Sequence, residues 1–328
     1  MLNIENDVSL ALCQSVVTLV KAKTLVDRLS HGSELDRKLA RLCGLPAGED
    51  GTSFYRDVFP FCGRWEPSGA SLLRQVPLEQ TVGHSWRWQP ESVPYPQRAS
   101  LRDRLLALTE GSEQAEVCWI VPLGLYLAHE GKNRVAFLRQ EGVSHYSALT
   151  TPYDYPAPDR LKLIQVAGTH GEEWWAVLDD DLIEPLRHPE WTVPVLSAYG
   201  VLITKQWPAE YASCASVRAK IVADDLGYSP PLGRPAISIK AMKMKELRDA
   251  EHTSASLLEL ENIQFRQGWR RVVLALIGII AVVLTVRQPS LHDLSFFSFC
   301  LGALTIAGLL IFGKILSVPR RNLQSADI

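Results

Sequence analysis

The stretch LYLAHEGKNRVAFLRQEGV, residues 125–143, changes period partway along. EVCWIVPL ahead of it and its own first residues, LYLA, are apolar, aromatic and β-branched, as strands are. Past Asn133 the apolar residues Val135, Phe137 and Leu138 recur at helical spacing. Between the two lies EGKNR, a glycine with three charged neighbours. The pattern predicts two strands hinged around Gly124, a charged turn, and a helix stopped by Gly142.

Working outward, a helix is expected from near Ser100 to Gly111, with Leu101, Leu105, Leu106 and Leu108 on one side. LKLIQVAG and EWWAVLD read as a hairpin joined by THGE, followed by a helical segment around LIEPLRHPEW and a last apolar run, PVLSAYGVLIT. Upstream, residues 1–50 form a helical segment with two short helices, the second preceded by Ser33 and ended by Gly44 and Pro46. AGEDGTSFYRDVFPFCGRWEPSG has no clear period and reads as loop with room for short elements.

The C-terminal part differs in character. LGYSPPLGRP reads as a linker and ISIKAMKMKELRDAEHTSASLLELENIQFRQGWRR as a polar helical stalk, together spanning 209–268. VVLALIGIIAVVLTV (272–286) and LSFFSFCLGALTIAGLLIFG (294–313) contain no charge, as a hydrocarbon core about 30 Å thick demands of a crossing helix. A transmembrane hairpin over 269–318, in contact with membrane lipid, is therefore expected. Arg266, Arg270 and Arg271 precede the first apolar run and Lys314, Arg320 and Arg321 follow the second, which orients both termini, including the tail 319–328, to the cytoplasm of a bacterial-type inner membrane. Residues 51–208 become the cytosolic domain.

A net charge of -2 excludes a global attraction to nucleic acid, so any basic surface has to be local. The six cysteines form no C-x-x-C pair, which removes a zinc ribbon and a small disulfide scaffold and fits a reduced compartment. The N-terminus carries Glu5 and Asp7 where a secretory signal would be basic.

The turn itself is a candidate anion site. A glycine at Gly131 lets backbone approach a ligand, the first amides of a helix carry partial positive charge, and Lys132 and Arg134 add two cations. The alternative is that Gly131 only turns the chain, Asn133 caps the helix and the cations are solvated. His129, next to the turn, is a candidate acid, base or phosphate contact, or else a strand-end residue packed on the surface.

Helix, two strands, a turn of Gly131, Lys132, Asn133 and Arg134, then Val135, Ala136, Arg139 and the closing Gly142: this order resembles the core of the ParB/sulfiredoxin-like family. The resemblance covers roughly Trp86 to Val143 and is centred on Gly131–Arg134. It implies an α+β fold with a small mixed sheet and helices, and a phosphate contact at the turn made by Gly131, Lys132, Asn133 and Arg134 with His129 and Glu130 beside them. It further implies a nucleotide, CTP or ATP with Mg2+, as cofactor. In ParB a glutamate follows the glycine and in sulfiredoxin the catalytic cysteine does. Lys132 stands there in this chain, so the resemblance implies binding without a complete catalytic motif, and no catalytic residue is assigned.

The predicted protein is a membrane-anchored ParB-like domain that binds a nucleotide or phosphate ligand to regulate a partner or a homo-oligomeric assembly. A catalytically inactive membrane-tethered scaffold is the alternative from another class. A metal-dependent nuclease or phosphotransferase is the third, using His129, Glu130 and the carboxylates of Asp179, Asp180 and Asp181, which otherwise cap a helix or are solvated. His170, Glu172 and Glu173 read as a hairpin turn. Lys240, Lys243, Lys245 and Arg248 suit anionic lipid, a nucleic-acid backbone or plain solvation.

Overall fold

The computed structural model describes residues 8–255 and 316–319, apart from 45–46, 48–49, 64–65, 84–87, 89, 108–114, 169–170, 224–227 and 230–233. The chain divides into two compact units, Met1–Met242 and Lys243–Ile328.

The first unit opens on α1 (Leu10–Ser30), capped by Ser9, whose hydroxyl accepts from the Leu12 amide at 3.2 Å. Leu12, Val16, Leu19, Val20 and Val26 fall at helical spacings and are buried, so the helix has one apolar side. The first of the two expected short helices is thus 21 residues long, and its apolar side belongs to the main core rather than to an appendage. In α2 (Glu34–Leu42) the Asp36 amide donates to the Ser33 hydroxyl and the Ser33 amide donates to the Asp36 carboxylate, a reciprocal cap. Asp50 caps α3 (Gly51–Val58) by accepting from the amides of Thr52 and Ser53. Eight residues are too few to display a helical period, which is why this helix is invisible in the sequence pattern.

A mixed five-stranded sheet follows, built from β1 (Leu72–Pro77), β2 (Thr81–Val82), β3 (Glu116–Ile120), β4 (Leu125–Ala128) and β5 (His145–Tyr153), in the order β1-β5-β3-β4-β2. Helix α4 (Tyr95–Leu106) lies between β2 and β3 in sequence, and α5 (Lys132–Gln140) between β4 and β5. The expected start of α4 near Ser100 moves back to Tyr95, because Pro94 fixes the entry and Pro96 is tolerated in a first turn. β3 and β4 are antiparallel, with Trp119 opposite Tyr126, and Gly124 turns between them at φ +61°. Their unbroken apolarity follows from burial on both faces. Cys118, Ile120, Leu125 and Leu127 face the core shared with α1 and α3, whereas Val117, Trp119, Tyr126 and Ala128 pack with Val135, Phe137 and Leu138 of α5.

A second mixed sheet holds β6 (Leu161–Ala167), β7 (Glu172–Leu178), β8 (Leu182–Pro185), β9 (Leu202–Thr204) and β12 (Ile237–Ser238), in the order β12-β8-β7-β6-β9. The β6–β7 hairpin is the one read from the sequence. LIEP, expected to be helical, is instead β8: Asp179 and Asp180 take left-handed conformations, φ +54° and +53°, and fold the chain straight back on β7. Helix α6 (Pro189–Tyr199) then runs to Gly200, where the chain enters β9. One face of this sheet, through Leu161, Leu163, Ala176 and Leu178, shares the core of α1, α3 and α6. The other packs on α7 (Cys214–Val222) and the start of α8 (Ile239–Glu251).

The segment expected as linker therefore contains structure. β10 (Tyr228–Ser229) pairs with β11 (Arg234–Pro235), and β12 joins the second sheet with Ile237 buried at 1% exposure. In the second unit β13 (His252–Ala255) pairs antiparallel with β14 (Leu316–Pro319), which sets Ala255 beside Leu316. The apolar runs 272–286 and 294–313 lie outside the described residues. Among the described residues no helix is long and apolar enough to cross a membrane. The architecture is mixed α+β, with two five-stranded sheets where one small sheet is expected from the sequence.

Candidate functional site

The turn after β4 is built by the sheet running out. Beyond the last β3–β4 pair, the amides of His129 and Glu130 both donate to the Glu116 carbonyl, at 2.9 and 3.1 Å. Gly131 then takes φ +86° and becomes the N-cap of α5, its carbonyl accepting the first helical bond from Val135 at 3.0 Å. A Cβ at Gly131 would stand 2.8 Å from the Ala115 Cβ, so both conformation and space require glycine. No side chain caps α5: Asn133 is exposed and does not fill that role.

The six candidate residues separate at this point. His129, Glu130 and Asn133 are exposed, while Lys132 and Arg134 are half-buried. The charge of Lys132 acts on Asp50 at the start of α3. Burial pushes the Asp50 carboxyl up, but hydrogen bonds from Ser53 and Thr52, with Lys132, outweigh it and hold it below the usual carboxylate range. Arg134 acts instead on Tyr146 of β5, a phenol driven upward by burial against the opposing influence of Arg134 and Arg139. The two cations of the turn thus serve different neighbours.

A cavity opens at the other end of α5. It has a volume of about 490 Å³, between α1, the 3-10 turn Leu78–Gln80 and the approach to β5. Lys21, Arg28 and Arg139 bring positive charge to it, with His145 and a single carboxylate, Glu79. Arg139 donates to the Thr24 hydroxyl at 3.0 Å, to the Leu78 carbonyl at 2.9 Å and to the Thr81 carbonyl at 2.5 Å. Burial lowers its pKa to about 10, with Arg28 acting in the same direction and Tyr146 and Asp27 against it. Of these residues the sequence singles out only Arg139. Lys21, Arg28 and His145 meet it solely through folding, although Lys21 and Arg28, seven residues apart, share a helix face outside the apolar side of α1.

The acidic candidates are otherwise engaged. Arg160 donates twice to Asp179, at 2.8 and 2.6 Å, and Asp180 accepts from Lys162 at 2.5 Å and from Tyr211. These contacts hold both carboxyls below their ordinary value, Arg160 acting first on Asp179 and Lys162 on Asp180. Asp181 accepts from the Ser238 hydroxyl at 2.7 Å and the Lys240 amide at 3.1 Å, so it caps α8, not the next helix in the chain. Glu172 and Glu173 bond to Gln165 and Arg218, and His170 lies outside the described residues. Among the described residues no group of three or more histidine, cysteine, aspartate and glutamate side chains could hold a metal ion. Comparison of the chain with protein families, curated proteins and solved structures finds no match.

Proposed function

We propose that the chain is a membrane-anchored α+β module, ParB/sulfiredoxin-like in its first sheet, that binds a nucleotide or another phosphate-bearing ligand and uses it to regulate a partner or an assembly. The main support is the entry to α5, where a left-handed glycine delivers a helix start that no side chain caps, with Lys132 beside it. Phosphate oxygens suit such a start because amide donors and partial positive charge converge there. Binding is favoured over catalysis because Lys132 stands where related turns keep a glutamate or cysteine. The carboxylates of Asp179, Asp180 and Asp181 are also held by cations, a phenol and a helix start, which gives the nuclease or phosphotransferase reading no support.

For the membrane part, support comes from the charge-free runs at 272–286 and 294–313 and from β13 pairing with β14. That pairing suits an even number of crossings with both flanks on one side, which basic residues assign to the cytoplasm of a bacterial inner membrane. Removal of 269–318 should release the protein from the membrane fraction.

The ligand is tested by titrating the full chain, in detergent, with CTP, ATP and GTP, with and without Mg2+, in a calorimeter. Saturable heat with at least one nucleotide is expected, and Lys132→Ala should weaken it about tenfold or more, as loss of a charge-assisted hydrogen bond of about 1.5–3 kcal/mol implies. Absence of heat with all three would sink the proposal. A catalytically inactive tethered scaffold is the second reading, favoured by the charge of Lys132 already helping to hold the Asp50 carboxyl low. In that case Lys132→Ala leaves cellular function intact while deletion of 269–318 abolishes it.

A further inference from the structure

We propose that the cleft between α1 and the C-terminal end of α5 is a second ligand site, separate from the turn, for a phosphate monoester carried on an apolar body. Its volume, about 490 Å³, is that of a small-molecule pocket. Val20, Leu25, Leu78 and Val143 give it apolar walls, and Lys21 and Arg28 stand on its α1 side. Neither of these two exposed cations has an ion-pair partner among the described residues.

The stronger argument comes from Arg139. This half-buried guanidinium is held by a hydroxyl and two carbonyls, all neutral. Asp27, the acid within reach of it, is ion-paired to Lys23 at 2.6 Å. Arg28 adds a like charge. A partly desolvated cation without a carboxylate of its own is costly, and an anion seated in the cleft that Arg139 lines would offset that cost. Two to three positive charges favour a phosphate dianion over a monocarboxylate, and the apolar walls require something attached to it. Glu79, the one acid on the lining, is exposed and can turn away to solvent.

The same chemistry occurs in a soluble organic phosphate and in the head group of a lysophosphatidate, so the probes span both. Phenyl phosphate, inorganic phosphate and benzyl alcohol are titrated calorimetrically against the full chain in a neutral detergent. Phenyl phosphate should bind at least about tenfold more tightly than inorganic phosphate, benzyl alcohol should not bind, and affinity should fall as salt rises. Arg28→Ala with Lys21→Ala should cost about tenfold or more, from the loss of charge-assisted contacts. Leu25→Trp, at an exposed position on the rim, should block the site without disturbing the fold. Lys132→Ala should leave phenyl phosphate binding unchanged. Loss of phenyl phosphate binding in Lys132→Ala with its retention in the Lys21→Ala, Arg28→Ala double variant would place the ligand at the turn and overturn the proposal. Displacement of phenyl phosphate by a short-chain lysophosphatidate would assign the lipid source, and persistence of binding in its presence the soluble one. Equal affinity for phenyl and inorganic phosphate, or unaltered binding in both the double variant and Leu25→Trp, would overturn the proposal.

Discussion

Arg139 on α5 reaches Thr24 on α1 at 3.0 Å, across 115 positions of sequence. The same guanidinium holds the carbonyls of Leu78 and Thr81, so one side chain ties the first helix, the 3-10 turn, the entry to β2 and α5 together. Replacing it with alanine strands those acceptors at a largely buried site. Arg139→Ala is expected to destabilise the first unit by about 2–4 kcal/mol, combining lost hydrogen bonds with lost packing. Arg139→Lys keeps the charge but cannot fork, and should recover less than half of the loss. Denaturant unfolding of both variants measures this, and a lysine variant equal to wild type would show that charge alone matters.

Gly131 offers a cleaner separation of causes. An alanine there must adopt φ +86° and also bring its Cβ to 2.8 Å from Ala115. Gly131→Ala should cost about 1–2 kcal/mol for the left-handed backbone alone, with a steric part added. Ala115→Gly placed on that background removes the clash and leaves the backbone strain. Partial recovery in the double variant is the expected result; full recovery would mean that φ contributes nothing.

How much was legible in the sequence follows from where the signals are local. The β3–Gly124–β4–Gly131–α5 run announces itself because two glycines and a change of period sit within a few residues of one another. Ser33 and Asp36 likewise sit three apart and meet within one helical turn. α3 and β8 were hidden for the converse reason. Eight residues in α3 and four in β8 are too short for a period, and β8 depends on two aspartates taking a conformation usually left to glycine or asparagine. The cleft is a tertiary product: residues 21, 28, 139 and 145 carry no common motif. Nor could spacing reveal that Lys132 and Arg134, two residues apart, would act on Asp50 and Tyr146.

Asp57 gives a pH prediction. It accepts from Arg187 at 2.6 Å and from His188 at 2.9 Å, joining α3 to the start of α6. Burial pushes its carboxyl up, but His188 and then Arg187 outweigh that and leave it below its ordinary value of 3.8. The folded state therefore binds its proton less readily than the unfolded chain. Its contribution to stability is complete above the ordinary value and fades as pH falls through the lower folded one. Asp57→Asn should thus reduce stability at neutral pH and flatten the acid limb of stability against pH. Parallel limbs in the variant and wild type would show that another carboxylate governs acid unfolding.

Asp181 links the β7–β8 hairpin to a segment nearly sixty residues away. Its carboxylate accepts from Ser238 and from the Lys240 amide, and its carbonyl accepts from the Ile239 amide at 2.7 Å. One residue therefore anchors β12 and caps α8. Asp181→Ala removes the cap but leaves the backbone bond, so the loss should be local, about 0.5–2 kcal/mol. Amide hydrogen exchange reads this directly: the Ile239 and Lys240 amides should exchange about tenfold faster, while Val177 and Leu178 in β7 keep their protection. Since Ile237 and Ile239 bury their side chains behind this link, faster exchange throughout the second sheet would mean that β12 supports the whole sheet and not only the start of α8.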